Sequence, residues 1–254
     1  MQRFIDKVVI VTGAGSGIGE ATARRFSQEG ACVVLSGRTK GQLDKVAADL
    51  PADKTLVCVA DVSSFDDVQA MVTQAVKHFG GLHVLVSNAG IAKGGTVLSG
   101  KFKDWEKTMA TNAGGVFHGA RAALPHLIRS RGCIVNVASV SGLGGDWGLA
   151  FYNASKGAIV NLTRAMAMDH GKDGVRVNAV CPSLTLTPMT DDIQANAQAM
   201  ARFDERIALG RGAKPSEVAA AIAFLASDDA SFITGVNLPV DGGLTASNGQ
   251  PDMN

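Results

Sequence analysis

Seven short apolar runs, separated by longer stretches with helical spacing, constrain this chain more than any other feature. They lie from Lys7 to Val11, Cys32 to Ser36, Leu56 to Ala60, His83 to Ser87, Cys133 to Ala138, Val175 to Cys181 and Val236 to Val240. Rich in valine and bounded by polar or glycine punctuation, they read as strands buried on both faces, the pattern of a parallel sheet. The stretches between them are helices of about 10–20 residues, long enough to act as crossovers. Such crossovers are right-handed and cover both sides of the sheet. The expected fold is α/β, a Rossmann-type doubly wound parallel sheet of about seven strands with helices on both faces.

Helix starts carry their own signals. Ser63 or Ser64 with Asp66 or Asp67 reads as a capping box. Lys214-Pro215-Ser216-Glu217 opens a helix that ends near Ser227. Asn248 to Asn254 reads as a loose tail.

At 254 residues the chain fits one α/β domain over 1–254, and its 46% hydrophobic and 19% charged residues suit a globular core. Net charge is +1, from 24 basic and 23 acidic residues without a basic block, so no nucleic-acid partner is expected. The apolar run after Lys7 stops at Thr12-Gly13, too short for a signal core or a bilayer span, which points to a cytoplasmic protein without a membrane partner. Cys32, Cys58, Cys133 and Cys181 form no C-x-x-C pair, so the expectation is buried reduced thiols and no metal.

The segment Thr12-Gly13-Ala14-Gly15-Ser16-Gly17-Ile18-Gly19 follows the first strand and opens the helix to Gly30. Glycines there permit a tight turn and close approach to a pyrophosphate, while the helix N-terminus supplies free amides and a positive dipole end. An acidic residue about 20 positions further on would select NAD through its ribose hydroxyls. Instead the second strand ends in Leu35-Ser36-Gly37-Arg38-Thr39, which puts a guanidinium where a 2′-phosphate would lie and favours NADP(H) over NAD(H). Asp61-Val62, after the third strand, suits an adenine edge, and Asp61 suits a helix cap as well. Ser87-Asn88-Ala89-Gly90 ends the fourth strand, where small residues let the backbone run beneath a ribose. Asn112 falls inside a helical pattern that continues to Arg131. A poor helix former there signals either a kinked, water-inserted turn or a side chain satisfying buried backbone.

Tyr152, the only tyrosine, has Lys156 one helical turn later and Ser139 a short loop upstream. A phenol to pass a proton, an ammonium to make it acidic and a hydroxyl to hold an oxygen are the groups that carbonyl reduction needs. A free phenol has a pKa of about 10, so work near neutrality calls for a shift of roughly 2–3 units, which a neighbouring cation favours.

On these residues the chain resembles the short-chain dehydrogenase/reductase family over nearly its whole length. The resemblance rests on Thr12-x-x-x-x-Gly17-x-Gly19 with Gly13, Asn88-Ala89-Gly90, Asn112, Ser139, Tyr152-x-x-x-Lys156, the Pro182 to Thr187 segment and Val240-Asp241-Gly242-Gly243. It implies that Tyr152 is the general acid in reduction and the base in oxidation, and that Lys156 binds the nicotinamide ribose and lowers the Tyr152 pKa. It implies further that Ser139 holds the substrate oxygen and Asn112 a relay water behind Lys156. Cofactor contacts would come from Gly13, Ser16, Gly17, Ile18, Gly19, Arg38, Asp61, Val62, Asn88, Ala89, Gly90, Pro182, Thr185 and Thr187. Three positions depart from the family pattern. Ser87 stands where another asparagine is frequent, Ser183 where glycine usually follows Pro182, and Thr185 where valine or isoleucine is common.

The expected activity is NADPH-dependent reduction of a ketone or aldehyde to an alcohol, reversibly. Alternatives are a 3-oxoacyl thioester reductase, an NAD-linked sugar or polyol dehydrogenase, and a protein that senses the dinucleotide without turnover. Substrate would be walled by Val140 to Leu149, including Leu143, Asp146 and Trp147, and by the segment 187–210, which is either a mobile helical flap or an ordinary surface helix pair. Asp146 suits a substrate contact or a turn, and Trp147 suits a pocket wall or an outward position. The resemblance also implies a homotetramer pairing the helices Asn112 to Arg131 and Phe151 to Gly171, with Leu162 and Met166 on their outer faces.

Overall fold

A computed structural model describes residues 2–250; of the expected tail, positions 251–254 lie outside them. The seven apolar runs form β1 (Val8–Thr12), β2 (Cys32–Gly37), β3 (Thr55–Val59), β4 (Val84–Ser87), β5 (Cys133–Val137), β6 (Arg176–Pro182) and β7 (Asn237–Val240). Every pairing is parallel, in the order β3-β2-β1-β4-β5-β6-β7. Because the chain returns across β1 between β3 and β4, the connections leaving β1 and β4 diverge, and a crevice opens at their carboxyl ends.

Burial on both faces explains the unbroken apolar runs. Val8 and Ile10 face one layer while Val9 and Val11 face the other. The second layer holds α1 (Gly17–Gln28), α2 (Lys40–Ala47) and, much later in the chain, the helix Pro215–Ala226. The first holds α3 (Phe65–Phe79) and the helices Gly115–Ser130 and Ala150–His170. Ser64 caps α3, its hydroxyl accepting from the Asp67 amide and donating to the Asp67 carboxylate. Glu217 accepts from the Lys214 amide at 2.7 Å at the start of the Pro215 helix.

The pattern around Asn112 resolves into three pieces: α4 (Phe102–Met109), a π turn over Ala110–Gly114, and α5 (Gly115–Ser130). The turn is the distortion that a buried asparagine in a helical stretch signals, and such bulges recur at functional sites. Next comes α6 (Ala150–His170), which carries Tyr152 and Lys156.

The segment 187–210 holds α7 (Asp191–Gln194) and α8 (Ala197–Arg206), neither with a buried residue. It is pinned at both ends. Thr187 packs on Gly17, where an added Cβ would lie 3.0 Å from the threonine methyl, and Ile207 is buried beneath Gly242. After it comes α9 (Pro215–Ala226).

One expectation needs correction. Leu162 and Met166 do not form an outward apolar face: Met166 belongs to the core of the same chain and Leu162 packs against it. The turn of α6 directs that stripe down onto the sheet, leaving Met168 as the exposed apolar residue nearby.

Candidate active site

The glycine turn opens the crevice. Gly13 and Gly17 have φ of +66° and +56°, conformations that favour glycine. At Gly19 an added Cβ would lie 2.1 Å from the Gly13 carbonyl oxygen, so only hydrogen lets α1 approach the loop. Ser16 precedes α1 without a side-chain cap, leaving the first amides of the helix to meet an anion.

Thr12 and Asn88 lock this turn to β4. The Thr12 hydroxyl donates to the Val86 carbonyl and accepts from the Asn88 and Ala89 amides, at 3.2, 2.9 and 3.1 Å. The Asn88 side chain donates to the Thr12 carbonyl at 2.8 Å and to that of Gly13 at 3.3 Å. Asn88 therefore braces the glycine loop rather than offering its amide to the crevice.

The crevice is a cleft of roughly 300 Å³ that gathers Gly13, Ser16, Gly17, Ile18, Arg38, Asp61, Val62, Asn88, Ala89, Gly90, Ser139, Tyr152, Lys156, Pro182, Thr185 and Thr187 along its walls. Gly19 lies behind it and acts through packing. Arg38 is exposed at the end of β2. The Asp61 carboxylate accepts from the Ser63 amide and hydroxyl at 2.9 and 2.7 Å, and these bonds, with Arg38 and Lys107 nearby, hold it below the usual carboxylate range. Asp61 thus shapes the turn before α3, while Ser64 caps the helix.

Asn112 sits outside the cleft, behind Lys156. Its side chain accepts from the Ile91 amide and donates to the Ile91 carbonyl and the Ser155 hydroxyl, each at 2.9 Å. It clamps the loop after β4 to α6, through the Ile91 backbone on one side and the Ser155 hydroxyl on the other. A Cβ on Gly90 would lie 3.3 Å from Asn112 Oδ1 and 3.7 Å from Lys156 Nζ, so glycine there lets loop, asparagine and lysine meet.

Lys156 is buried and donates to the Val137 carbonyl at 2.8 Å. Burial lowers its pKa to about 8, with Cys181 opposing. Its Nζ stands 5.5 Å from the centre of the Tyr152 ring. Burial pushes the Tyr152 phenol up, the nearby Ser139 hydroxyl pulls the other way, and Asp146 adds to the rise. Loss of hydration favours the protonated phenol, the form in which it can donate.

The loop after β5 departs most from expectation. Val140, Leu143, Asp146, Trp147 and Leu149 do not line the cleft, whose wall on this side ends at Ser139. Gly144, Gly145 and Gly148 stand in open space, the Trp147 side chain is fully exposed, and Leu149 pairs with Gly95. With so little packing to direct it, the loop turns its apolar side chains to solvent. Asp146 is held back by the Ser141 hydroxyl, which donates to its carboxylate, and by Asn153, which donates to its carbonyl at 2.9 Å.

Ile91 and Thr111, which carried no signal in the sequence, also line the cleft, as do Pro188, Met189 and Thr190 at the start of the expected flap. Ser141 falls within the expected wall 140–149 but was given no role of its own; its spacing of two from Ser139 was the available signal. Ser183 has a structural use: its hydroxyl donates to the Asp241 carbonyl at 3.2 Å, tying the loop after β6 to the one after β7. Thr185 and Thr187 still reach the cleft. All four cysteines are free. Among the described residues no helix is long and apolar enough to cross a membrane, and no cluster of three or more His, Cys, Asp or Glu could hold a metal.

Comparison with known proteins agrees with this geometry. The family model described as enoyl-(acyl-carrier-protein) reductase matches residues 13–245. Meso-2,3-butanediol dehydrogenase of Serratia marcescens is 56% identical over 251 residues, 99% of either chain. The 3-oxoacyl-(acyl-carrier-protein) reductase of Thermotoga maritima is 41% identical over 246 residues, covering 95% of this chain and 99% of that one. The crystal structure of levodione reductase superposes with a TM-score of 0.89 at 35% identity, covering 96% of this chain and all of the other.

Proposed function

The chain belongs to the short-chain dehydrogenase/reductase family, and on that premise we propose that it interconverts a small ketone and its secondary alcohol with NADP(H). The observation that carries this reading is the meeting of Ser139, Tyr152 and Lys156 with the glycine loop and Arg38 in one cleft. A vicinal diol or hydroxyketone is the proposed substrate class, supported by 56% identity to a butanediol dehydrogenase.

The residues present fit a nicotinamide dinucleotide. Uncapped amides at the start of α1 suit its pyrophosphate, Asp61 and Val62 its adenine, and Arg38 a 2′-phosphate. When bound, the cofactor supplies or accepts the hydride. Everything else falls to side chains. Ser139 holds the substrate oxygen, and Tyr152 gives it a proton in reduction or takes one in oxidation. Lys156, with one N–H spent on Val137, keeps its others for ribose hydroxyls. Asn112 keeps the loop after β4 and α6 in register around that lysine. The segment 187–210 acts as a substrate flap, with Met189 and Ile91 as apolar walls.

A cytoplasmic homotetramer belongs to the same proposal. It is supported by free cysteines, which suit a reducing compartment, and by Phe117 and Met168 exposed on α5 and α6. Light scattering that returns a monomer would remove the assembly.

The experiment is a panel of simple ketones, hydroxyketones and acyl thioesters, each followed by nicotinamide absorbance with NADPH and NADH in parallel. Turnover of a small hydroxyketone with NADPH is expected. Thioester turnover alone would replace the substrate class, faster turnover with NADH would overturn the cofactor, and cofactor binding with no turnover would leave a sensor.

A further inference from the structure

The active-site cleft lies at the carboxyl ends of the strands, and a second, smaller cavity of about 70 Å³ lies at their amino ends. Its wall includes Lys7, His83, Arg131 and Arg176. These four basic residues follow the order of the sheet. Lys7 precedes β1, His83 precedes β4, Arg131 stands two residues before β5 and Arg176 opens β6, and the four strands are neighbours in the order β1-β4-β5-β6. Parallel pairing therefore gathers all four at one rim.

Each is held there by its own contacts. The Arg176 guanidinium donates to the Leu225, Ser227 and Ile233 carbonyls at 2.7, 3.0 and 3.4 Å, which fixes the outer wall. His83 Nδ1 accepts from the Val8 amide at 3.0 Å, so the neutral ring carries its proton on Nε2, as a donor. Arg131 ends α5 with φ of +50°, the left-handed conformation where glycine is usual, although Gly132 follows it directly. Its stem lies against Gly174, where an added Cβ would come within 3.1 Å of Arg131 Cγ. Strain retained at a charged residue points to a use for that charge. Arg3, also in the wall, is paired with Glu29 and Asp229. Among the described residues Lys7, Arg131 and Arg176 belong to no ion pair, and the one carboxylate of the wall is the exposed Asp228. Three cations thus face a single anion.

We infer that this cavity binds a divalent tetrahedral oxyanion, as inorganic phosphate or as the phosphate of a small monoester. At about 10–15 Å³ for each water-sized group, the space holds about five of them, which is one such ion and not a nucleotide. Lys7 supplies a compact charge, Arg131 and Arg176 planar sets of donors, and His83 a neutral N–H. The ion joins the starts of four strands to the loop after α9, and it stabilises the fold without entering the reaction. Nothing in this inference depends on the activity proposed above.

The test is thermal unfolding without cofactor, with phosphate, sulfate or glycerol phosphate added against sodium chloride at matched ionic strength. At about tenfold its dissociation constant, phosphate should raise Tm by about 3–6 °C. A rise with phosphate and sulfate alone assigns the free ion, and an equal rise with glycerol phosphate assigns the monoester. Because the glycine loop also suits phosphate, variants locate the ion. Arg131→Gly fits the left-handed backbone, so its Tm in chloride should hold or increase while most of the phosphate increment disappears. Lys7→Gln should lose the increment too, and Arg38→Ala, at the opposite end of the sheet, should keep it. No increment in the unaltered protein, one that survives in Arg131→Gly and Lys7→Gln, or one abolished by Arg38→Ala would overturn the site. Carbonyl turnover plays no part in this readout, so failure of the proposed activity would leave it unaffected.

Discussion

The Lys156 ammonium donates to the Val137 carbonyl oxygen at 2.8 Å, joining the middle of α6 to the last residue of β5. The same bond fixes where Tyr152, one turn earlier on α6, presents its hydroxyl. Backbone geometry therefore aligns phenol and ammonium.

Replacing Tyr152 with Phe removes the proton donor and leaves the ring in place. Cofactor affinity, read by fluorescence of bound NADPH, should stay within about threefold. kcat should fall by about 10²-fold or more, the scale of general acid catalysis. Full turnover in that variant would refute the assignment.

At the end of β2, Arg38→Asp exchanges a cation for a carboxylate that repels a 2′-phosphate and suits ribose hydroxyls. A charged hydrogen bond contributes about 1.5–3 kcal/mol. The ratio of kcat/KM for NADPH over NADH should therefore drop about 10–100-fold, measured with the best substrate from the panel.

Gly19→Ala and Gly144→Ala make a matched pair. The first puts a methyl 2.1 Å from a backbone oxygen that cannot move aside; the second puts one in open space. Overpacking of this kind typically costs about 1–3 kcal/mol. Urea unfolding should show such a loss, with weakened dinucleotide binding, for Gly19→Ala and a change under about 0.5 kcal/mol for Gly144→Ala.

Asn112→Ala would strand the Ile91 amide and carbonyl, both now paired to the asparagine side chain. Each stranded buried group costs about 1–3 kcal/mol. A destabilisation of about 2–4 kcal/mol is expected, with faster hydrogen exchange concentrated at Ile91. Asn112→Asp keeps one acceptor and should recover part of it.

Alkaline pH should destabilise the fold. Burial raises Cys58, Cys133 and Cys181 to about 11 from an ordinary 9.0, so above pH 9 the unfolded thiols lose protons that the folded ones keep. Stability falls with pH wherever the folded state binds more protons. Lys156, lowered to about 8 from 10.5, works the other way over pH 8 to 10.5, because there the unfolded lysine holds the extra proton. Three thiols outweigh one amine. After discounting for screening, the net loss between pH 9 and 11 is on the order of 3 kcal/mol, readable from urea midpoints.

Much of this molecule was settled by local pattern. Valine-rich runs bounded by glycine can only be buried strands, and helices between them force parallel pairing, so the sheet and the glycine turn at Gly13 to Gly19 followed from the sequence alone. Tyr152 and Lys156 needed only the helical repeat to share a face, and Asn112 announced its distortion by being a poor helix former in a helical stretch. The partners of these residues depended on atoms far away in the chain. That Asn88 braces Thr12, that Asn112 spends its amide on Ile91, and that Ser183 reaches the Asp241 carbonyl are long-range bonds with no local signature. The sign of the Tyr152 shift was decided by how much protein surrounds the ring, a quantity only packing sets. The loop bearing Trp147 marks the other limit: its glycines permit many paths, so local pattern left a pocket wall and an outward position both open, and in the structure the side chain faces outward. Periodicity determines elements because it acts between neighbours in sequence; tertiary structure decides hydrogen-bond partners and desolvation because both depend on which distant atoms arrive.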